Sequence, residues 1–149
     1  MYKRQKSNLD EAAKVLSIVN DLLSAGDLTP SDIGVITPYN GQVRLLADLF
    51  DQAGGREENE PYSGLEIKSV DGYQGREKEV IVFSAVRAND DGNIGFLKDR
   101  RRLNVALTRA KRGLIVLGNL KTLRHDGTWR AWLDWAEERN LMAWHITHG

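Results

Sequence analysis

At 149 residues the chain is long enough to bury one full core, and without cysteine it does so with neither disulfides nor thiolate metal ligands. Its 21 basic residues balance 21 acidic ones, which argues against a dedicated nucleic-acid-coating protein but leaves room for a local basic face. No apolar run approaches the ~20 residues of a membrane span, and the basic start Met1–Lys6 leads into a charged helix rather than a signal-peptide core. The expected setting is intracellular, cytoplasmic or nuclear, with no membrane partner.

Leu9, Ala12, Ala13, Leu16, Val19, Leu22 and Leu23 follow helical spacing and predict a first helix over 9–25. Ser7 or Asn8 would cap it, with Glu11 three residues after Asn8 in a capping arrangement. Asp10-Glu11 also resembles the metal-binding pair of an ATPase strand. That strand needs apolar residues ahead of it, where Lys6-Ser7-Asn8 stand, so the capping reading is preferred.

Gly26 ends the helix and Thr29-Pro30-Ser31-Asp32 makes a turn. Ile33–Thr37 is a short buried strand, stopped by Pro38. Asn40 is placed to cap a second helix over 41–53 with Val43, Leu45, Leu46, Leu49 and Phe50 apolar, ended by Gly54-Gly55. The polar stretch 56–64 reads as a mobile loop.

Leu65–Val70 alternates as a strand does, and Val80–Val86 is long enough for a fully buried one. An irregular loop over 87–99 follows. Asp99 would cap a third helix over 100–111, apolar at Leu103, Ala106, Leu107 and Ala110. Leu114–Leu117 is a further strand, 128–140 a last helix, and 141–146 a closing edge strand. Alternation of this kind predicts an α/β fold, a mostly parallel sheet covered on both faces, as one domain over 1–149.

Three patterns imitate sites. Gly113 and Gly118 have the spacing of a phosphate loop, but Asn119 and Leu120 replace its lysine and hydroxyl, so no Walker A is present. His145 and His148 lack a third ligand. Trp129, Trp132 and Trp135 at helical spacing read as a packing face rather than a base-stacking platform.

Two clusters carry chemistry. Residues 69–77 gather a hydroxyl, two carboxylates, an amide and a guanidinium around Gly72 and Gly75, where backbone amides can approach a ligand closely. Lys98 to Arg112 holds seven basic residues against one acid. Within it Arg102 and Arg109, seven apart, would share a helical face, and Arg109 directly precedes a small residue and a strand. An arginine fixed at a cleft is what phosphoryl transfer uses as a finger.

Residues 69–118 closely resemble the C-terminal core of superfamily-1 helicases of the up-frameshift and senataxin type. The likeness rests on Gln74-Gly75-Arg76-Glu77, Val86-Arg87-Ala88-Asn89, Ile94-Gly95-Phe96-Leu97 and the block Arg101-Arg102-Leu103-Asn104-Val105-Ala106-Leu107-Thr108-Arg109-Ala110. Upstream, Ile36-Thr37-Pro38-Tyr39-Asn40-Gly41-Gln42 is similar to that family's motif IV, so the resemblance covers about residues 7 to 120.

In that family two RecA-like lobes clamp ATP between them and grip a single strand of nucleic acid across their top. The resemblance makes this chain the second lobe, a RecA-like sandwich without its own Walker A and part of a larger protein. It implies Arg109 as the catalytic finger on the γ-phosphate, and Glu77, with Gly75 and Arg76, at the nucleotide. Gln74 couples the cleft to the strand, and Thr37, Tyr39, Gln42, Ser69, Arg101 and Arg102 would serve the nucleic acid, whether RNA or DNA. ATP and Mg2+ would be bound mainly by the first lobe, which is the implied partner.

The sequence departs from the family pattern in having neither the first lobe's motifs nor the Gln-Tyr-Arg segment that opens the second. Gly72 and Arg100 also stand where other residue types are frequent. The stretch alone is therefore expected to hydrolyse nothing measurable. The rival reading is a non-enzymatic module that binds nucleic acid or docks on a partner.

Overall fold

The computed structural model describes residues 9–73, 77–85 and 109–117. In chain order these form helix α1 (Leu9–Ser24), a 3₁₀ turn (Pro30–Asp32), strand β1 (Ile33–Thr37) and helix α2 (Asn40–Gln52). Strand β2 (Glu66–Ser69), a second 3₁₀ turn (Asp71–Tyr73), strand β3 (Lys78–Ser84) and strand β4 (Ala110–Leu117) complete them. The four strands pair in the order β2-β1-β3-β4, every pair parallel.

Position in the sheet explains the composition of each strand. β1 has neighbours on both sides and is buried along its whole length, as its apolar run requires. Ile33 and Val35, with Val80, Val82, Ile115 and Leu117, meet Ala12, Val15 and Val19 of α1 and Leu46 and Phe50 of α2. On the opposite face Ile36, Ile81, Phe83, Leu114 and Val116 pack with Val70 and Tyr73.

Several boundaries differ from the sequence reading. Helical spacing puts Leu9 and Ala13 on the apolar face of α1, yet both are exposed. Tyr39, not Asn40, occupies the cap position of α2, in extended conformation, with its carbonyl accepting the amides of Gln42 and Val43. The stretch 56–64 is pinned rather than loose. Tyr62 buries its ring edge-on against Phe50 at 4.9 Å, and its hydroxyl donates to Asn20 Oδ1 at 2.6 Å. The Tyr62 amide also donates to the Gly55 carbonyl, folding the loop back on itself.

The largest correction concerns the third helix. Ala110 and Lys111 belong to β4, and Arg109 stands in the turn before it. Pairing with β3 extends the strand backwards: Lys78 aligns with Ala110, and one extra residue of β4 is taken up before Val80 aligns with Gly113. Helical spacing of Ala110 therefore yields to a ladder that sequence periodicity does not register. The expected helix over 100–108, the loop over 87–99, the last helix, the closing strand, His145, His148 and the tryptophans lie outside the described residues.

Candidate functional site

A parallel sheet has two unlike ends, and the candidate residues divide between them. At the carboxyl ends, Thr37 of β1 is in register with Ser69 of β2. Continuing the β1–β3 register by one step places Ser84 on the other side of Thr37. Three hydroxyl residues thus form a row across β2, β1 and β3. The Thr37 hydroxyl is buried without a hydrogen-bond partner among the described residues, whereas Ser69 is half-buried.

Ser84 is engaged from the helical layer. Gln42 Nε2 of α2 donates to its hydroxyl at 3.2 Å, and that hydroxyl donates to the Glu11 carboxylate of α1. Gln42, Ser84 and Glu11 are all buried, so the Gln42 amide is committed inside the fold. Tyr39 is buried as well, at the start of α2. Of the described residues expected at the nucleic acid, Ser69 is therefore the more open one. Sequence spacing does not reveal this network. Its only signal is a carboxylate among the apolar positions of α1, which reads equally as part of a cap.

At the amino ends the structure brings Glu77 and Arg109 together. Glu77 directly precedes β3 and Arg109 directly precedes β4. The Lys78 amide donates to the Arg109 carbonyl at 3.1 Å, so the starts of these neighbouring strands are tied together, ~4.8 Å apart. Glu77 is exposed, Arg109 half-buried, and Arg109 Nε is buried without a hydrogen-bond partner among the described residues.

Among the described residues at this edge, Lys78, Lys111 and Arg112 have partners. Lys78 Nζ lies 3.0 Å from Glu66 Oε1 and donates to the Ser31 carbonyl at 2.8 Å. Glu79 accepts from Arg112 Nε at 2.7 Å, with Lys111 Nζ at 3.9 Å. Arg109 stands in a turn rather than a helix, and Arg102, with which helical spacing puts it on one face, lies outside the described residues, as do Gln74, Gly75, Arg76 and Arg101. β3 is 7 residues long, so the two edges stand roughly 20 Å apart at ~3.3 Å per residue.

Residues 1–121 match a family model described as an AAA domain. Regulator of nonsense transcripts 1 of Dictyostelium discoideum is 47% identical over 135 residues, covering 91% of this chain and 10% of that protein. The homolog of that regulator in Drosophila melanogaster is 46% identical over 135 residues, covering 91% and 11%. DNA polymerase alpha-associated DNA helicase A of Schizosaccharomyces pombe is 44% identical over 142 residues, covering 95% and 20%.

The chain belongs to the AAA-domain family, among superfamily-1 helicases of the up-frameshift and senataxin type. Its all-parallel sheet is the RecA-like architecture expected for that family. It spans between 10% and 20% of the length of these relatives.

A cavity of about 250 Å³ is lined by Leu22, Leu28, Val80, Arg112 and Ile115 among others, and includes none of the candidate residues. Among the described residues no group of three or more His, Asp or Glu side chains could hold a metal ion. No helix among them is long and apolar enough to cross a membrane.

Proposed function

We propose that the chain, over residues 1–149, is the second RecA-like motor lobe of an ATP-dependent nucleic-acid helicase. The observation that carries this reading is the pairing of Glu77 and Arg109 at the starts of β3 and β4. Arg109 Nε has no hydrogen-bond partner among the described residues, so this N–H donor is not committed within them, and the exposed Glu77 carboxylate is an acceptor one strand away. A nucleotide needs both, a donor for phosphate and an acceptor for sugar hydroxyls.

Arg109 serves as the finger that stabilises charge on the transferring phosphoryl group, an effect worth ~10³–10⁵ in rate. Glu77 orients the nucleotide, with Gly75 and Arg76 beside it in sequence. ATP supplies the phosphoryl group and is held with Mg2+ mainly by the first lobe, the partner across the cleft. At the far edge Ser69 meets the backbone of single-stranded RNA or DNA. Thr37, Tyr39 and Gln42 support that edge from within, and Gln74, Arg101 and Arg102 complete the coupling and the grip. Closure on nucleotide alters strand affinity through contacts that differ between the open and closed states.

The test is ATP hydrolysis by the full-length protein, with and without single-stranded RNA or DNA, in wild type and Arg109→Ala. Stimulated hydrolysis that falls by about 10³-fold or more in the variant, with strand binding retained, is the expected result. Hydrolysis indifferent to Arg109→Ala would falsify the finger assignment. Strong nucleotide-independent strand binding by a protein with no hydrolysis would favour a non-enzymatic binding module instead.

A further inference from the structure

The residue between the two sheet edges that neither motif accounts for is Glu66, the first residue of β2. Its carboxylate holds Lys78 Nζ at 3.0 Å, and its carbonyl accepts the Tyr73 hydroxyl at 2.7 Å. Tyr73 is fully buried, and Lys78 is bonded a second time to the Ser31 carbonyl. Gly34 of β1 lies beneath this junction. A Cβ there would stand 2.5 Å from the Tyr73 hydroxyl oxygen and 3.0 Å from Lys78 Cγ. The Lys78 side chain therefore reaches Glu66 by crossing β1, and the Tyr73 hydroxyl lies over β1, at the one residue of that strand that offers no side chain.

The consequence falls on the nucleotide edge. Lys78 follows Glu77 directly, and its amide donates to the Arg109 carbonyl at 3.1 Å. A contact that fixes Lys78 from both its side chain and its backbone fixes where the chain enters β3 from Glu77 and where it enters β4 from Arg109. We infer that Glu66 is a positioning residue: through Lys78 it sets the relative placement of Glu77 and Arg109. This rests on the nucleotide reading of those two residues. Orientation of reacting groups is steep in its effect, since a displacement of ~1 Å can cost about 10²-fold in rate.

The experiment compares Glu66→Gln, Lys78→Met, the double variant and Arg109→Ala in the full-length protein. Glu66→Gln keeps the shape and the backbone carbonyl that Tyr73 uses, while it removes the charge and turns one carboxylate oxygen into an amide nitrogen. The expected result is a fall in kcat of about 10- to 100-fold for strand-stimulated ATP hydrolysis, with affinity for the strand alone unchanged. The double variant should fall no further than Lys78→Met. In nucleotide-free protein, hydrogen exchange at the Lys78 amide should quicken about tenfold or more while the amides of Val35 and Val82 keep their protection.

Uniform loss of protection across the sheet would make Glu66 merely structural and overturn the inference. So would wild-type kcat in Glu66→Gln when Arg109→Ala is inactive, which leaves the nucleotide reading standing. Hydrolysis unaffected by Arg109→Ala would remove that reading and the inference with it.

Discussion

Gly34 shows how a single position is dictated from across the sheet. Nothing in its strand demands a flexible backbone, but the Tyr73 hydroxyl occupies the space a side chain would need. Gly34→Ala should destabilise the fold by about 1–3 kcal/mol, the usual range for overpacking a filled site, and chemical denaturation measures it. Asp32 is decided more locally. It accepts hydrogen bonds from the Thr29 amide at 2.9 Å and the Thr29 hydroxyl at 3.1 Å, which hold its carboxyl below the ordinary value of 3.8. Arg112 and Lys78 add to that pull, and partial burial opposes it. A depressed folded-state pKa stabilises the fold above the unfolded value and ceases to do so as pH falls through the folded one. The stability difference between wild type and Asp32→Asn should therefore be present at neutral pH and disappear well below pH 3.8, as thermal unfolding across acid pH would show.

Among elements, the helical layer is joined to the sheet by polar as well as apolar contacts. Glu11 on α1, Gln42 on α2 and Ser84 at the end of β3 form one buried network with the serine hydroxyl at its centre. Ser84→Ala leaves a carboxylate and an amide facing a methyl group. Leaving a buried polar group without its partner costs about 1–3 kcal/mol, and the loss should lie in that range, read from a shift in the denaturation midpoint. Thr37 makes the opposite case. Its hydroxyl has no partner among the described residues, so Thr37→Val should leave stability unchanged or improved by the same measurement. The loop between α2 and β2 is held by Tyr62 on Asn20 and Phe50, contacts invisible in a stretch that looks polar throughout.

For the molecule as a whole, separation of the two edges is the organising fact. Because roughly 20 Å of sheet stands between them, substitutions at one edge should be nearly silent at the other. Ser69→Ala in the full-length protein is expected to weaken single-strand affinity roughly tenfold, the worth of one charge-assisted bond, while strand-independent hydrolysis persists. Arg109→Ala should do the reverse, and equal loss of both activities in either variant would speak against divided roles.

Most of the described elements were legible in the sequence because their signals are local. Periods of 2 and 3.6, a proline after Thr37 and the glycines after both helices mark where strands and helices begin and end. The Gln74–Glu77 and Arg101–Ala110 blocks were specific enough to imply the helicase family from residue types alone. Strand order was not legible, since β1 lies between β2 and β3 through contacts distant in the chain. For that reason only the tertiary structure decided that Glu77 and Arg109 stand together at the amino edge, opposite Thr37 and Ser69. It also decided that Ala110 joins a strand, that Gln42 turns inward, and that Glu66 ties Lys78 to the sheet. Local propensity is written residue by residue. Register, burial and pairing depend on which distant segment arrives alongside, and no window of sequence contains that.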